Sequence, residues 1–201
     1  ILYSAGNGLI QAFNSDNFSK TIFRYQLVKT QNPPAAIAVN DKGTIFVATR
    51  NDNPQDSAYL TAISAHGKMI WSKFYDDIVD GSYDLPGTPK LLLLNNNNLV
   101  LCLSQHPTRS IQWISSQDGH TINKYIAKTG IVQDMKNNEK DFIIASGGKN
   151  SQLFDAQGNL LATGNIQQDV DQTSGSIINR NNQIYIGSSI FINGSSSMSL
   201  R

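Results

Sequence analysis

Six aspartates, two arginines, a histidine and a tyrosine gather in three short stretches: Arg50, Asp52 and Asp56, then Asp76, Asp77, Asp80, Tyr83 and Asp84, then His106 and Arg109. Oxygen-rich groups of this kind can hold a hard cation such as Ca²⁺, dock a protein partner, or keep a loop solvated. Asp52-Asn53-Pro54-Gln55-Asp56 lacks the Asp-x-[Asp/Asn]-x-[Asp/Asn]-Gly spacing of an EF-hand loop, so no metal is expected and the set reads as a partner-binding surface. Nucleophilic catalysis has less to work with. The histidines are His66, His106 and His120, and the chain contains no Gly-x-Ser-x-Gly elbow and no His-Glu-x-x-His helix, so no catalytic residue is expected.

These stretches need a frame, and it is a repeat. Ile1-Leu2-Tyr3-Ser4, Ile45-Phe46-Val47-Ala48, Leu99-Val100-Leu101-Cys102, Phe142-Ile143-Ile144-Ala145 and Ile184-Tyr185-Ile186-Gly187 are each three apolar residues closed by a small one. Their first positions are 44, 54, 43 and 42 residues apart, a period that fits four-stranded propeller blades and exceeds that of leucine-rich or ankyrin repeats. Polar turns precede all but the first: Asn40 to Gly43, Asn95 to Asn98, Lys136 to Lys140 and Arg180 to Asn182. The asparagine run is thus hairpin punctuation, since Asn tolerates a left-handed backbone.

A second motif follows each of three of these strands. Leu60 to Trp71 reads as a strand with Leu60, Ala62 and Ser64 on one side and Thr61, Ile63 and Ala65 on the other, a turn at Gly67, and a strand reaching Trp71. Trp113 to Tyr125 repeats it around Gly119, and Leu153 to Leu161 around Gly158, with a degenerate copy from Ala12. The remaining strands are Leu9 to Asn14, a reversal over Ser15 to Lys20, Thr21 to Tyr25, Ala36 to Val39, and a last strand near Phe191-Ile192-Asn193. The fold class is therefore all-β, a β-propeller of four-stranded antiparallel blades A to D, with about four and a half blades at approximately 1–30, 31–85, 86–128, 129–172 and 173–201. Strand parity places the A–B and C–D turns on one face of the disc and the B–C and D–A connections on the other. The short B–C connections are Gly6-Asn7-Gly8, Gly147-Gly148-Lys149 and Ser188-Ser189, whereas the three charged stretches are the long connections, all on that same face. Trp71, Trp113 and Tyr125 occupy repeat positions where aromatics pack blade on blade.

Charge and composition narrow the function classes. Sixteen basic and 15 acidic residues leave a formal charge of +1, so no global field draws the chain to nucleic acid. The apolar run Leu91 to Leu94 is far too short to span a bilayer, so no transmembrane segment is expected. The single cysteine, Cys102, sits in an apolar strand and reads as a small buried hydrophobe.

Ala62, Gly67, Lys68 and Trp71, together with Asp155 and Gly158, match the Ala-x-Asp-x-x-Thr-Gly-Lys-x-x-Trp run of the PQQ-like (quinoprotein-type) β-propeller repeat, which the chain resembles over essentially its whole length. Pro34, Pro89 and Ser174-Gly175-Ser176 stand where that family places Ser-Pro before strand A. The family usually has six to eight blades, so the resemblance implies a fragment of a longer propeller. It also implies two function classes. Quinoprotein dehydrogenases hold a quinone with Ca²⁺ on the ring axis, in alcohol-oxidising members beside a vicinal disulfide that one cysteine cannot form. Propellers similar to the BamB-type outer-membrane assembly lipoproteins hold proteins on the disc, without a cofactor. The second class is the expected one: a non-catalytic scaffold, extracytoplasmic in the periplasm or secreted, held to the membrane periphery where a lipid anchor lies outside the sequence. A quinone- or Ca²⁺-dependent enzyme is the alternative. A sugar-binding propeller would need exposed aromatics at each repeat, which the strand positions of Trp71, Trp113 and Tyr125 do not supply.

Overall fold

The computed structural model describes residues 1–6, 8–27, 34–50, 57–76, 88–104, 109–127, 132, 134–147, 150–165, 172–178, 184–192 and 195–200. Every regular element among them is a strand, and the strands form five antiparallel meanders. The first holds β1 (Leu2–Gly6), β2 (Leu9–Asn14) and β3 (Asn17–Gln26); the second β4 (Pro34–Val39), β5 (Ile45–Arg50), β6 (Ser57–Ile63) and β7 (Met69–Asp76). The third holds β8 (Lys90–Leu93), β9 (Leu99–Ser104), β10 (Arg109–Ile114) and β11 (Thr121–Ala127); the fourth β12 (Asp134–Asn137), β13 (Ile143–Gly147), β14 (Asn150–Phe154) and β15 (Leu160–Asn165). The fifth holds β16 (Gln172–Ile178), β17 (Ile184–Ile192) and β18 (Ser195–Leu200). Three sheets thus have the full A to D set, the first has B to D and the fifth A to C.

The B strands of the second, third and fourth blades read as continuous apolar runs because they are covered on both faces. Ile45 to Ala48 and Leu99 to Cys102 are fully buried, and alternate side chains go to opposite seams. Ile45 and Val47 meet Ile10, Leu27 and Ile63 between the first and second sheets. Phe46 and Ala48 join Leu60, Ala62, Leu99 and Leu101 between the second and third. Val100 and Cys102 join Ile111, Trp113, Met135, Ile143 and Phe154 between the third and fourth. The apolar core is therefore divided among the seams, with the second and third blades each serving as a wall of two of them.

The turns repeat with the strands. In each described A–B turn a residue with positive φ donates its N–H back three residues: Gly43 to Asn40, Asn97 to Leu94, and Asp141 to Asn138. The C–D turns put Gly67, Gly119 and Gly158 at φ of 75°, 72° and 90°. Backbone bonds close each one, Ser64 N–H to the Lys68 carbonyl, Ser115 to His120 and Asp155 to Asn159.

Four strand assignments need correction. Ser64 and Ala65 belong to the C–D turn and not to the alternating strand, because Ser64 already closes that turn. The reversal expected over Ser15 to Lys20 is a tight turn, and β3 starts at Asn17, which pairs with Asn14. Lys136 lies in β12, so the third A–B turn runs from Asn138, whose side-chain oxygen accepts the N–H groups of Lys140 and Phe142. Ser188 and Ser189 are not a connection: they pair with Thr173 and Gln172 within β17, and the last strand is β18 over Ser195–Leu200. Small hydroxyl residues look like turn formers in isolation, yet a ladder with a partner on each side holds them extended.

Candidate functional site

The charged connections are only partly placed. Arg50 closes β5 opposite Ala58, Asp76 closes β7 opposite Ser57, and Arg109 opens β10 between Ser104 and Ala127. All three therefore mark strand ends away from the A–B and C–D turns. Asp52, Asp56, Asp77, Asp80, Tyr83, Asp84 and His106 lie outside the described residues.

The repeat residues Gly67, Trp71, Gly119 and Gly158 form an interlock between successive blades. A Cβ on Gly67 would lie 2.7 Å from the ring of Phe23 in β3, one on Gly119 2.9 Å from Trp71 in β7, and one on Gly158 2.8 Å from Trp113 in β10. Each C–D turn thus seats its glycine on an aromatic of the preceding blade. Ala12 pairs with Phe23 and Ala62 with Trp71, whereas in the third blade the aromatic has crossed to the neighbouring strand, so that Trp113 pairs with Asn123. The hydrogen bond survives the exchange: Trp71 Nε1 donates to the Ser116 carbonyl at 3.0 Å, and Asn123 Nδ2 to the Gln157 carbonyl at 2.8 Å. Tyr125 packs edge-on to Phe154 and accepts from Gln152 Nε2 at 3.0 Å. The expectation that Trp71, Trp113 and Tyr125 pack blade on blade agrees with these contacts.

The same register exposes a second repeated feature. Beside each C–D turn the outer strand carries a bulge, and the residue it skips is Ile22, Ile70, Ile122 or Leu161. These four are 43%, 50%, 49% and 50% exposed, so an aliphatic stud stands at the same place on four successive blades. Sequence reading missed them. The available signal was a large aliphatic residue three places after each turn glycine, at Ile70, Ile122 and Leu161.

Two of the studs border a groove at the seam of the second and third blades. A cavity of about 510 Å³ is lined by Asn40 and Lys42 of one A–B turn, Asn97 and Asn98 of the next, Ser115 and Gln117, and by Phe46, Ile70 and Ile122. Across His120 a second cavity of about 490 Å³ opens between Lys73, Phe74 and Tyr75 on β7 and Gln112, Thr121 and Lys124 on the third blade. His120 lines both. Its Nδ1 sits 2.7 Å from Asp118 Oδ1, and bonds from the His120 side chain, the Ser115 hydroxyl and the His120 N–H hold the Asp118 carboxyl down to about 2. Tyr75 donates its hydroxyl to the Gly119 carbonyl at 2.5 Å; burial, and then the charge of Asp118, push its phenol well above the usual range. The groove therefore offers amides, hydroxyls, ammonium groups and aliphatic side chains on paired strands and closed turns.

Among the described residues no three His, Cys, Asp or Glu side chains gather as a metal site, and no helix is long and apolar enough to cross a membrane. No family model and no curated protein matches the chain. Solved structures do. The chain is similar to virginiamycin B lyase from Staphylococcus aureus, with a TM-score of 0.64 and 14% identity over 98% of this chain and 68% of that one. It is similar to the WD40 β-propeller domain of Doa1, at 0.60 and 13% over 92% of this chain and 59% of that one. A protein of unknown function from Bacteroides caccae matches at 0.56 and 15% over 98% and 70%. At these identities the likeness establishes a fold, and the fold is that of a β-propeller.

Proposed function

We propose that the chain is a PQQ-like propeller serving as a non-catalytic interaction module, which holds a protein partner by surface complementarity in an extracytoplasmic setting. The observation that carries this reading is the blade interlock. Glycine on aromatic, repeated at three seams, makes a stiff frame on which surface groups keep their positions, and the groove on that frame has the chemistry of recognition. The charged connections at Arg50, Asp52, Asp56, Asp76, Asp77, Asp80, Tyr83, Asp84, His106 and Arg109 are the proposed partner surface, because long connections on a rigid ring carry binding with little ordering cost to the ring itself.

Site-specific photocrosslinking tests it. Benzoylphenylalanine in place of Asp77 or Asp80, with the protein in its native host, should give discrete protein adducts, and the same group at Lys20 on β3 should not. Absence of adducts at both loop positions overturns the reading.

A further inference from the structure

We infer that the groove between the second and third blades docks an acidic, extended peptide segment of a protein partner. This rests on the interaction-module reading, and its argument uses none of the residues of the charged connections. Electrostatics make the first argument. Lys42 lines one cavity and Lys73 the other, and no carboxylate is among the residues lining either. The nearby acids stand outside the lining: Asp118 is turned onto His120, and Asp41 is next to Lys42 in its A–B turn. In a chain whose net charge is only +1, a lining that holds ammonium groups and no carboxylate complements carboxylates.

Shape and apolar chemistry choose the class of acid. Ile70 and Ile122 line the first cavity half-exposed, one from each blade. Aliphatic studs suit aliphatic side chains on an extended chain, whereas an acidic sugar would stack on an open aromatic face. Of the rings that line the groove, Phe46 and Tyr75 are buried, and the half-exposed Phe74 packs against Tyr59 at 5.1 Å. The Asn97 and Asn98 side chains supply amide groups that match the alternating N–H and C=O of a peptide backbone.

The test is fluorescence anisotropy with a labelled ten-residue peptide alternating leucine with aspartate or glutamate. Saturable binding is expected, about tenfold weaker for the Lys42→Glu, Lys73→Glu double variant and weakened by added salt, as charge-steered association requires. Ile70→Ser, Ile122→Ser should weaken it while preserving its salt dependence, and an isosteric peptide with glutamine and asparagine should not saturate. No saturable binding, or equal binding to the charge-reversed variant, overturns the groove assignment. Comparable binding of an oligogalacturonate overturns the peptide in favour of an acidic glycan. Thermal melting of each variant confirms that it is folded. The photocrosslinks at Asp77 separate the two readings: if they persist while the peptide fails to bind, the module stands and the groove falls; if both fail, the module reading falls as well.

Discussion

At the described A–B turns the left-handed residue is Gly43, Asn97 or Asp141, whereas at the C–D turns of the second, third and fourth blades it is Gly67, Gly119 or Gly158. Apart from the Ser115–His120 turn, which is one residue longer, both sets make the same backbone closure, and all hold φ near +60° to +90°. A non-glycine residue in that region costs on the order of 1 kcal/mol, which a short polar side chain offsets by bonding locally. Asp141 does so: its carboxylate accepts from the Asn95 N–H at 2.9 Å and from Asn137 Nδ2 at 3.4 Å, tying two A–B turns together. At the C–D turns no side chain can offset anything, because the place of the Cβ is taken by a ring from the previous blade. Backbone strain selects among Gly, Asn and Asp; packing then removes the last two.

Gly119→Val should break that contrast most severely, lowering stability by about 4 kcal/mol in urea unfolding, since strain and the Trp71 ring act together. Gly119→Ala made alone and in a Trp71→Ala background sharpens it: the cost should shrink by at least about 1 kcal/mol once the ring is gone, and a cost unchanged by Trp71 removal would assign everything to backbone strain. Trp71→Phe keeps a ring beneath the glycine but loses the bond to the Ser116 carbonyl, and should cost about 1 kcal/mol. Asn97→Gly should fall within about 0.5 kcal/mol of the parent, because at φ 64° glycine meets the backbone requirement without strain.

Acid supplies the smallest effect. Asp118 has its carboxyl lowered from 3.8 to about 2, so whatever stability its bonds contribute is present above pH 3.8 and is lost as pH falls through about 2. Asp118→Asn should flatten that part of the stability curve while leaving the C–D turn closed through the backbone bond from Ser115 to His120.

Legibility in the sequence follows the same physics. Runs such as Ile45 to Ala48 announced strands covered on both faces, and the asparagine run from Asn95 announced a turn, with Asn97 left-handed in fact. The spacing of Gly67, Gly119 and Gly158 was visible, but not why glycine was required, because the ring that excludes a side chain belongs to another blade about 45 residues earlier. The groove was hidden for a related reason. Strand alternation points Ile70 and Ile122 nowhere in particular; a bulge in each hairpin turns them outward, and a bulge has no strong residue signature. Arg50, Asp76 and Arg109 lie at strand ends, whereas the partner surface named from the connections lies largely outside the described residues.

Dividing the core among seams has a kinetic consequence. Where each apolar cluster is shared by only two neighbours, cooperativity passes from blade to blade along the chain, and one seam can open while the others hold. Cys102, wholly buried between the third and fourth blades, is a thiol confined to a single such joint. Its rate of alkylation under native conditions is a clock that ticks only when that joint parts, and comparing it with global unfolding would measure how far the disc behaves as a stack of hinged plates.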